Sequence, residues 1–176
     1  MTLVTGGSRS GKSSFAAERA RQGAGPRLFL ATAQALDEEM RARIETHRAA
    51  RPADWLLVEE PLQVPAALMR ARALARTVVV DCVTVWISNL LLAQETFGEG
   101  EAAAEASRLL EASRGPGAVL IVTNEVGSGI VPDNLLARRF RDCAGRANQV
   151  LAAGADEVYL LVSGMALALK TSRGGT

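Results

Sequence analysis

The chain alternates two kinds of apolar pattern along most of its length. Short runs rich in Val, Leu and Thr at Leu3 to Thr5, Arg27 to Thr32, Trp55 to Val58, Thr77 to Val80, Ala118 to Thr123 and Glu157 to Val162 read as strands. Between them lie stretches of helical spacing and content: Ser13 to Gln22, Asp37 to Arg48, Val64 to Ala75, Val83 to Ala93 running on through Glu101 to Arg114, and Asp133 to Ala153. VVVDC and AVLIVT are continuously apolar without alternation, the pattern of central strands covered on both faces. Together these elements predict a three-layer α/β fold with a mainly parallel sheet. ETFGEGE (Glu95 to Glu101) reads as a loop and SRGGT (Ser172 to Thr176) as a frayed tail. No repeat or change of composition marks a boundary, so residues 1–176 are expected to form one domain.

The join between the first strand and the first helix carries the first chemical signal. Gly6-Gly7-Ser8-Arg9-Ser10-Gly11-Lys12-Ser13 matches G-x-x-x-x-G-K-[ST] in full, with a strand before it and a helix after it. Glycine permits positive φ and close approach of backbone to an anion, so successive N–H groups can turn toward phosphate oxygens beside the positive end of a helix. Lys12 would reach the β/γ oxygens and the Ser13 hydroxyl would bind Mg²⁺. The fold expected is therefore a P-loop nucleotide-binding one.

Composition removes several other classes. With 48% hydrophobic and 22% charged residues, the chain has the balance of a globular protein rather than a disordered one. The net charge is +1 and aromatics are 4%, so neither a steering field nor stacking platforms point to nucleic acid, which is not expected as a partner. Cys82 and Cys143 form no C-x-x-C pair and read as buried free thiols in a reducing compartment. A signal cleavage would destroy the P-loop, and the apolar tract TVVVDCVTVWISNLLLA is interrupted by Asp81 and polar residues. No membrane span and a cytoplasmic location are expected.

Ligands of such sheets bind beyond the carboxyl ends of the strands. Asp81, directly after Thr77 to Val80, fits the acid that holds Mg²⁺ opposite a P-loop serine, in preference to a helix cap. Glu125, in TNEVGSGIVP, is a second acid at the same rim, and a catalytic role and a solvated loop carboxylate both stay open. His47, the sole histidine, lies near the end of a helix that also carries Arg41, Arg43, Arg48 and Arg51. An imidazole among guanidinium groups has an anion nearby and could attack phosphorus, although pattern alone favours an ordinary surface histidine.

GGSRSGKS, RIETHRAARPADWLLVEEP, VVVDCVTVWISNLL and VTNEVGSGIVP, in this order and spacing, closely resemble the adenosylcobinamide kinase/adenosylcobinamide-phosphate guanylyltransferase family of cobalamin biosynthesis. The resemblance spans essentially the whole chain. The P-loop is shared with many families, whereas the histidine segment and NEVGSGIVP belong to this one. Ser8 stands where the family's loop commonly has alanine, a small change that leaves the phosphate nest intact.

The resemblance implies a bifunctional enzyme. Such enzymes phosphorylate the aminopropanol hydroxyl of adenosylcobinamide with ATP or GTP, then transfer GMP from GTP to the resulting phosphate to give adenosylcobinamide-GDP. The transfer passes through a guanylylated histidine, and the matching residue is His47. It further implies that Gly6 to Ser13 bind nucleotide phosphates, that Ala31, Thr32 and Ala33 contact nucleotide, and that Arg48, Ala49, Ala50 and Arg51 flank the covalent site. Glu59 and Asp81 match positions at the nucleotide site, and the family assembles as trimers, which implies a homo-oligomer. A single-function P-loop kinase would explain the loop and Asp81 but leave His47 and NEVGSGIVP without a role. A GTP switch fits less well, since TNEV is not the N-K-x-D guanine-reading motif.

Overall fold

The structure is a computed structural model that describes residues 1–35, 38–49 and 54–171, with the backbone alone for Glu39, Met40, Arg43, Thr46, His47 and Ala49. Its elements run β1 (Thr2–Gly6), α1 (Lys12–Arg21), β2 (Arg27–Ala31), α2 (Glu38–Ala49), β3 (Leu56–Glu59), α3 (Val64–Leu74) and β4 (Thr77–Asp81). They continue with α4 (Val83–Ala93), α5 (Glu99–Ser113), β5 (Ala118–Val122), α6 (Leu135–Gly154), β6 (Glu157–Val162) and β7 (Met165–Lys170). All seven strands join one sheet in the order β3-β2-β4-β5-β1-β6-β7. Pairing is parallel from β3 to β6, and only β7 runs antiparallel, against β6.

The central strands are apolar throughout because both faces are buried. Leu3, Leu28, Leu30, Val78, Val80, Val119 and Ile121 enter one core with residues of α3, α4, α5 and α6. Their neighbours Val4, Phe29, Val79, Leu120 and Val122 point the other way, into a second core with Ala16 and Ala20 of α1. Adjacent residues go to opposite faces, as the two-residue period of a strand requires. The expected three layers are therefore present, with the thicker helical layer on the first face.

Local chemistry accounts for the small differences at element ends. The last long helix begins at Leu135 rather than Asp133, because the Asn134 side chain accepts a hydrogen bond from Ala137 N–H at 3.1 Å and caps it. In α5 the Glu101 carboxylate accepts from Gly98 N–H at 3.0 Å, so the helix starts earlier than expected, at Glu99. β7 is an element the sequence reading did not assign. MALALK is exposed at every position, so no burial pattern marks it as a strand; its pairing with β6 through the Ser163-Gly164 turn makes it one.

Burial predicts where substitutions hurt. Ile121, fully buried in β5, should lose about 2–5 kcal/mol of stability when replaced by alanine, through lost transfer energy and an unfilled cavity. Leu167, 58% exposed on β7, should lose less than about 0.5 kcal/mol on the same change. Urea unfolding of both variants checks this, and equal losses would contradict the assignment of the core.

Candidate nucleotide site at the strand ends

The P-loop leaves β1 at Gly6 and enters α1 at Lys12. Its shape depends on glycine at two points. Gly6 has φ +147°, and a Cβ there would lie 2.4 Å from the Leu161 carbonyl oxygen of β6. Gly11 has φ +96°, and its α-carbon faces Gly164 of the β6–β7 turn so closely that a Cβ would sit 3.3 Å from the Gly164 α-carbon. The same turn holds the loop by a hydrogen bond from Gly164 N–H to the Ser10 carbonyl, 3.0 Å. Among the described residues no side chain caps α1 and no acid stands in its first turn. The first helical N–H groups therefore remain donors at a positive helix end, which is an anion site.

Lys12 is folded into this loop. It is 7% exposed, and its ammonium donates to the Gly7 carbonyl and to Ser10 Oγ, the latter at 3.4 Å. Burial lowers its pKa, while Cys82 and Asp81 act in the opposite sense. A phosphate in the loop would add further negative charge beside the ammonium. Asp81 ends β4 half-buried and near enough to influence both Lys12 and Cys82.

The neighbouring strand ends are fastened to β4. Thr32 N–H donates to the Asp81 carbonyl at 3.2 Å, and Thr32 Oγ1 donates to the Cys82 carbonyl at 2.8 Å while accepting from Cys82 N–H at 2.9 Å. The Thr32 hydroxyl thus has a structural task, tying β2 to β4. Asn89 of α4 donates from Nδ2 to the carbonyls of Thr32 and Pro61, at 2.8 and 3.0 Å, and so joins the loops that follow β2 and β3. Further along the rim, Glu59 at the end of β3 accepts from Arg48 Nη2 at 2.5 Å. That pair brings the end of α2, where His47 lies, to the same edge of the sheet. The His47 side chain, Ala50 and Arg51 lie outside the described residues.

On the other side of β4 a polar network surrounds Glu125. Its N–H donates to the Gly6 carbonyl at 3.1 Å, extending the β1–β5 pairing past the strands. Its Oε1 accepts from Thr5 Oγ1 at 2.7 Å and from Asn148 Nδ2 at 3.2 Å. Thr123 Oγ1 donates to Asn148 Oδ1 at 2.7 Å, and Thr84 Oγ1 accepts from Asn124 N–H at 2.7 Å. Thr123, Thr84 and Asn148 are buried, so each must find its partner inside the protein. None of Thr5, Thr84, Asn89, Asn148 and Gly164 stood out in sequence. Only the Ser-Gly pair at Ser163-Gly164 carries a turn signal from which one of them could have been found.

Ser13 and Asp81 carry oxygen atoms of the hard type that magnesium prefers. Ser13 is partly exposed at the start of α1 and Asp81 borders Lys12. Among the described residues no group of three or more His, Cys, Asp and Glu gathers into an all-protein metal cage. Magnesium rarely needs one, since one or two protein oxygens with substrate phosphates suffice.

Both cysteines are free and buried. Burial and the Asp81 charge push the Cys82 thiol up to about 12, and burial also raises Cys143. The thiolate is the reactive form. Native protein should therefore take up almost no iodoacetamide at pH 8, and urea-unfolded protein should take up two equivalents, as mass spectrometry would read. Rapid native alkylation of Cys82 would contradict its burial.

Comparison with known proteins places the chain in a family. The family model described as cobinamide kinase / cobinamide phosphate guanyltransferase matches residues 2–169. The chain is 45% identical to the bifunctional adenosylcobalamin biosynthesis protein CobU of Salmonella typhimurium, covering 97% of this chain and 99% of that protein. It is 42% identical to CobP of Pseudomonas aeruginosa, described in the same terms, covering 96% of each. Among solved structures, one described as an ATPase domain covers 99% of this chain and 78% of its own, with a TM-score of 0.59 at 12% identity. An ATPase from the type III secretion system of pathogenic bacteria has the same TM-score and identity, covering 95% of this chain and 56% of its own. At this identity the two show a shared α/β fold and nothing further. No helix among the described residues is long and apolar enough to cross a membrane. The match over residues 2–169, together with relatives above 40% identity at nearly full length, shows that the chain belongs to the cobinamide kinase / cobinamide phosphate guanyltransferase family.

Proposed function

We propose that one nucleotide site, within a single P-loop domain over residues 1–176, serves both activities of the family. The observation that carries this reading is the Arg48–Glu59 pair, which brings the end of α2 to the strand-end rim that also holds Lys12 and Asp81. In the kinase step the loop amides and Lys12 grip the triphosphate, and adenosylcobinamide presents its hydroxyl in line with the γ-phosphorus. Ser13 and Asp81 would hold Mg²⁺, which when bound neutralises phosphate charge. In the second step unprotonated His47 attacks the α-phosphorus of GTP and pyrophosphate leaves. An oxygen of adenosylcobinamide phosphate then attacks the same phosphorus and releases His47. Ala31, Ala33, Ala49, Ala50 and Arg51 complete the nucleotide surface. Buried free thiols suit a cytoplasmic enzyme, and the family resemblance favours a trimer.

A single-function kinase would leave His47 without a role, and the two readings separate cleanly. With α-labelled GTP the protein should acquire a label that is acid-labile and base-stable, as a phosphoramidate is, and pyrophosphate should remove it. His47→Asn should take no label yet keep much of the kinase rate, because γ-transfer to a hydroxyl needs no covalent step. Label persisting in His47→Asn would exclude His47 as the nucleophile.

Lys12→Ala should behave differently, weakening both steps by about 3 kcal/mol in transition-state stabilisation. Steady-state rates with circular dichroism as a folding control measure this. A folded variant retaining both rates would remove Lys12 from the site.

A further inference from the structure

Glu125 is the acid that the scheme above does not use. It follows β5, which lies between the P-loop strand β1 and the Asp81 strand β4, so its loop stands between the P-loop and Asp81. Its backbone is held against Gly6, the first residue of the P-loop. Two neutral donors, Thr5 Oγ1 and Asn148 Nδ2, both converge on one carboxylate oxygen, Oε1. Asn148 is itself set by Thr123, whose hydroxyl donates to its amide oxygen, and by the Asn124 carbonyl, which accepts from Nδ2 at 3.0 Å. The carboxylate is thus fixed in direction, while Oε2 receives no donor among the described residues and the side chain is exposed. Oε2 is thereby left open to solvent at the strand-end rim, beside the P-loop to which the Glu125 backbone is bonded.

Resting on the two-step reading, we propose that Glu125 is the general base of the kinase step. The hydroxyl oxygen of the corrinoid attacks the γ-phosphorus, and the bond from that phosphorus to the β,γ-bridging oxygen breaks. The nucleoside diphosphate leaves with the electron pair, and the hydroxyl proton passes to Glu125 Oε2. Thr5 and Asn148 act as positioning residues, aiming Oε2 by engaging Oε1. The guanylyl steps have no such need. Unprotonated His47 carries no proton to lose at the attacking nitrogen, and adenosylcobinamide phosphate attacks as an anion. A base for the hydroxyl therefore acts on one activity and not on the other.

The test uses the full chain and three readouts: phosphorylation of adenosylcobinamide by γ-labelled ATP, affinity for a non-hydrolysable ATP analogue, and the acid-labile label from α-labelled GTP. Glu125→Gln keeps the acceptor for Thr5 and removes the base. Its kinase kcat should fall by about 100-fold or more, the scale of general-base catalysis, with analogue affinity and label within about 3-fold of the unaltered protein. Thr5→Val, nearly isosteric, should lower kinase kcat several-fold with the same selectivity, and decides the matter if Glu125→Gln does not fold. A kinase rate unchanged in the folded variant overturns the proposal. So does a parallel fall of kinase rate, affinity and label, which would make Glu125 a support of the nucleotide site. If the unaltered protein forms neither product, the two-step reading fails instead, a result distinct from any effect of Glu125.

Discussion

Parallel pairing constrains everything else in this protein. Because β3, β2, β4, β5, β1 and β6 run the same way, all their carboxyl ends open on one edge, and the loops that leave them meet there. Residues more than a hundred positions apart in sequence, such as Thr5 and Glu125, become hydrogen-bonded neighbours. The arrangement is stable only if both faces of the sheet are covered, which explains the unbroken apolar runs of β4 and β5 and the helices on either side.

The rim itself is polar and partly buried, a combination that costs free energy unless every group is satisfied. Two side chains from helices do much of that work. Asn89 joins the turns after β2 and β3, and Asn148 holds the turn after β5, whose Glu125 in turn accepts from Thr5 of the strand that feeds the P-loop. Lys12 shows the same tension. Burial works against its charge, and the Gly7 carbonyl and Ser10 Oγ accept from its ammonium. A loop that binds its own lysine in this way is compact before nucleotide arrives, which reduces the ordering cost of binding.

Exposed ion pairs add little to stability, and the Arg48–Glu59 pair is of this kind, with both side chains about half exposed. Its significance is positional. It fixes the end of α2 against β3, and any nucleotide entering between them would compete for Arg48 with a carboxylate already in place.

Fold class and the phosphate loop were determined by the sequence itself, because each rests on local physics. Continuous apolar runs declare doubly covered strands, and the glycine pattern of GGSRSGKS declares a backbone that few other residues can adopt. The family resemblance singled out His47, which local pattern alone reads as an ordinary surface histidine. β7 was not legible, since an exposed edge strand carries no burial signature and exists only because β6 offers a free edge. Nor were the tasks of Thr32, Asn89, Asn148 and Glu125, whose partners lie 23 to 120 positions away. Their hydrogen bonds depend on strand order and register, and those are set when the helices close over both faces of the sheet.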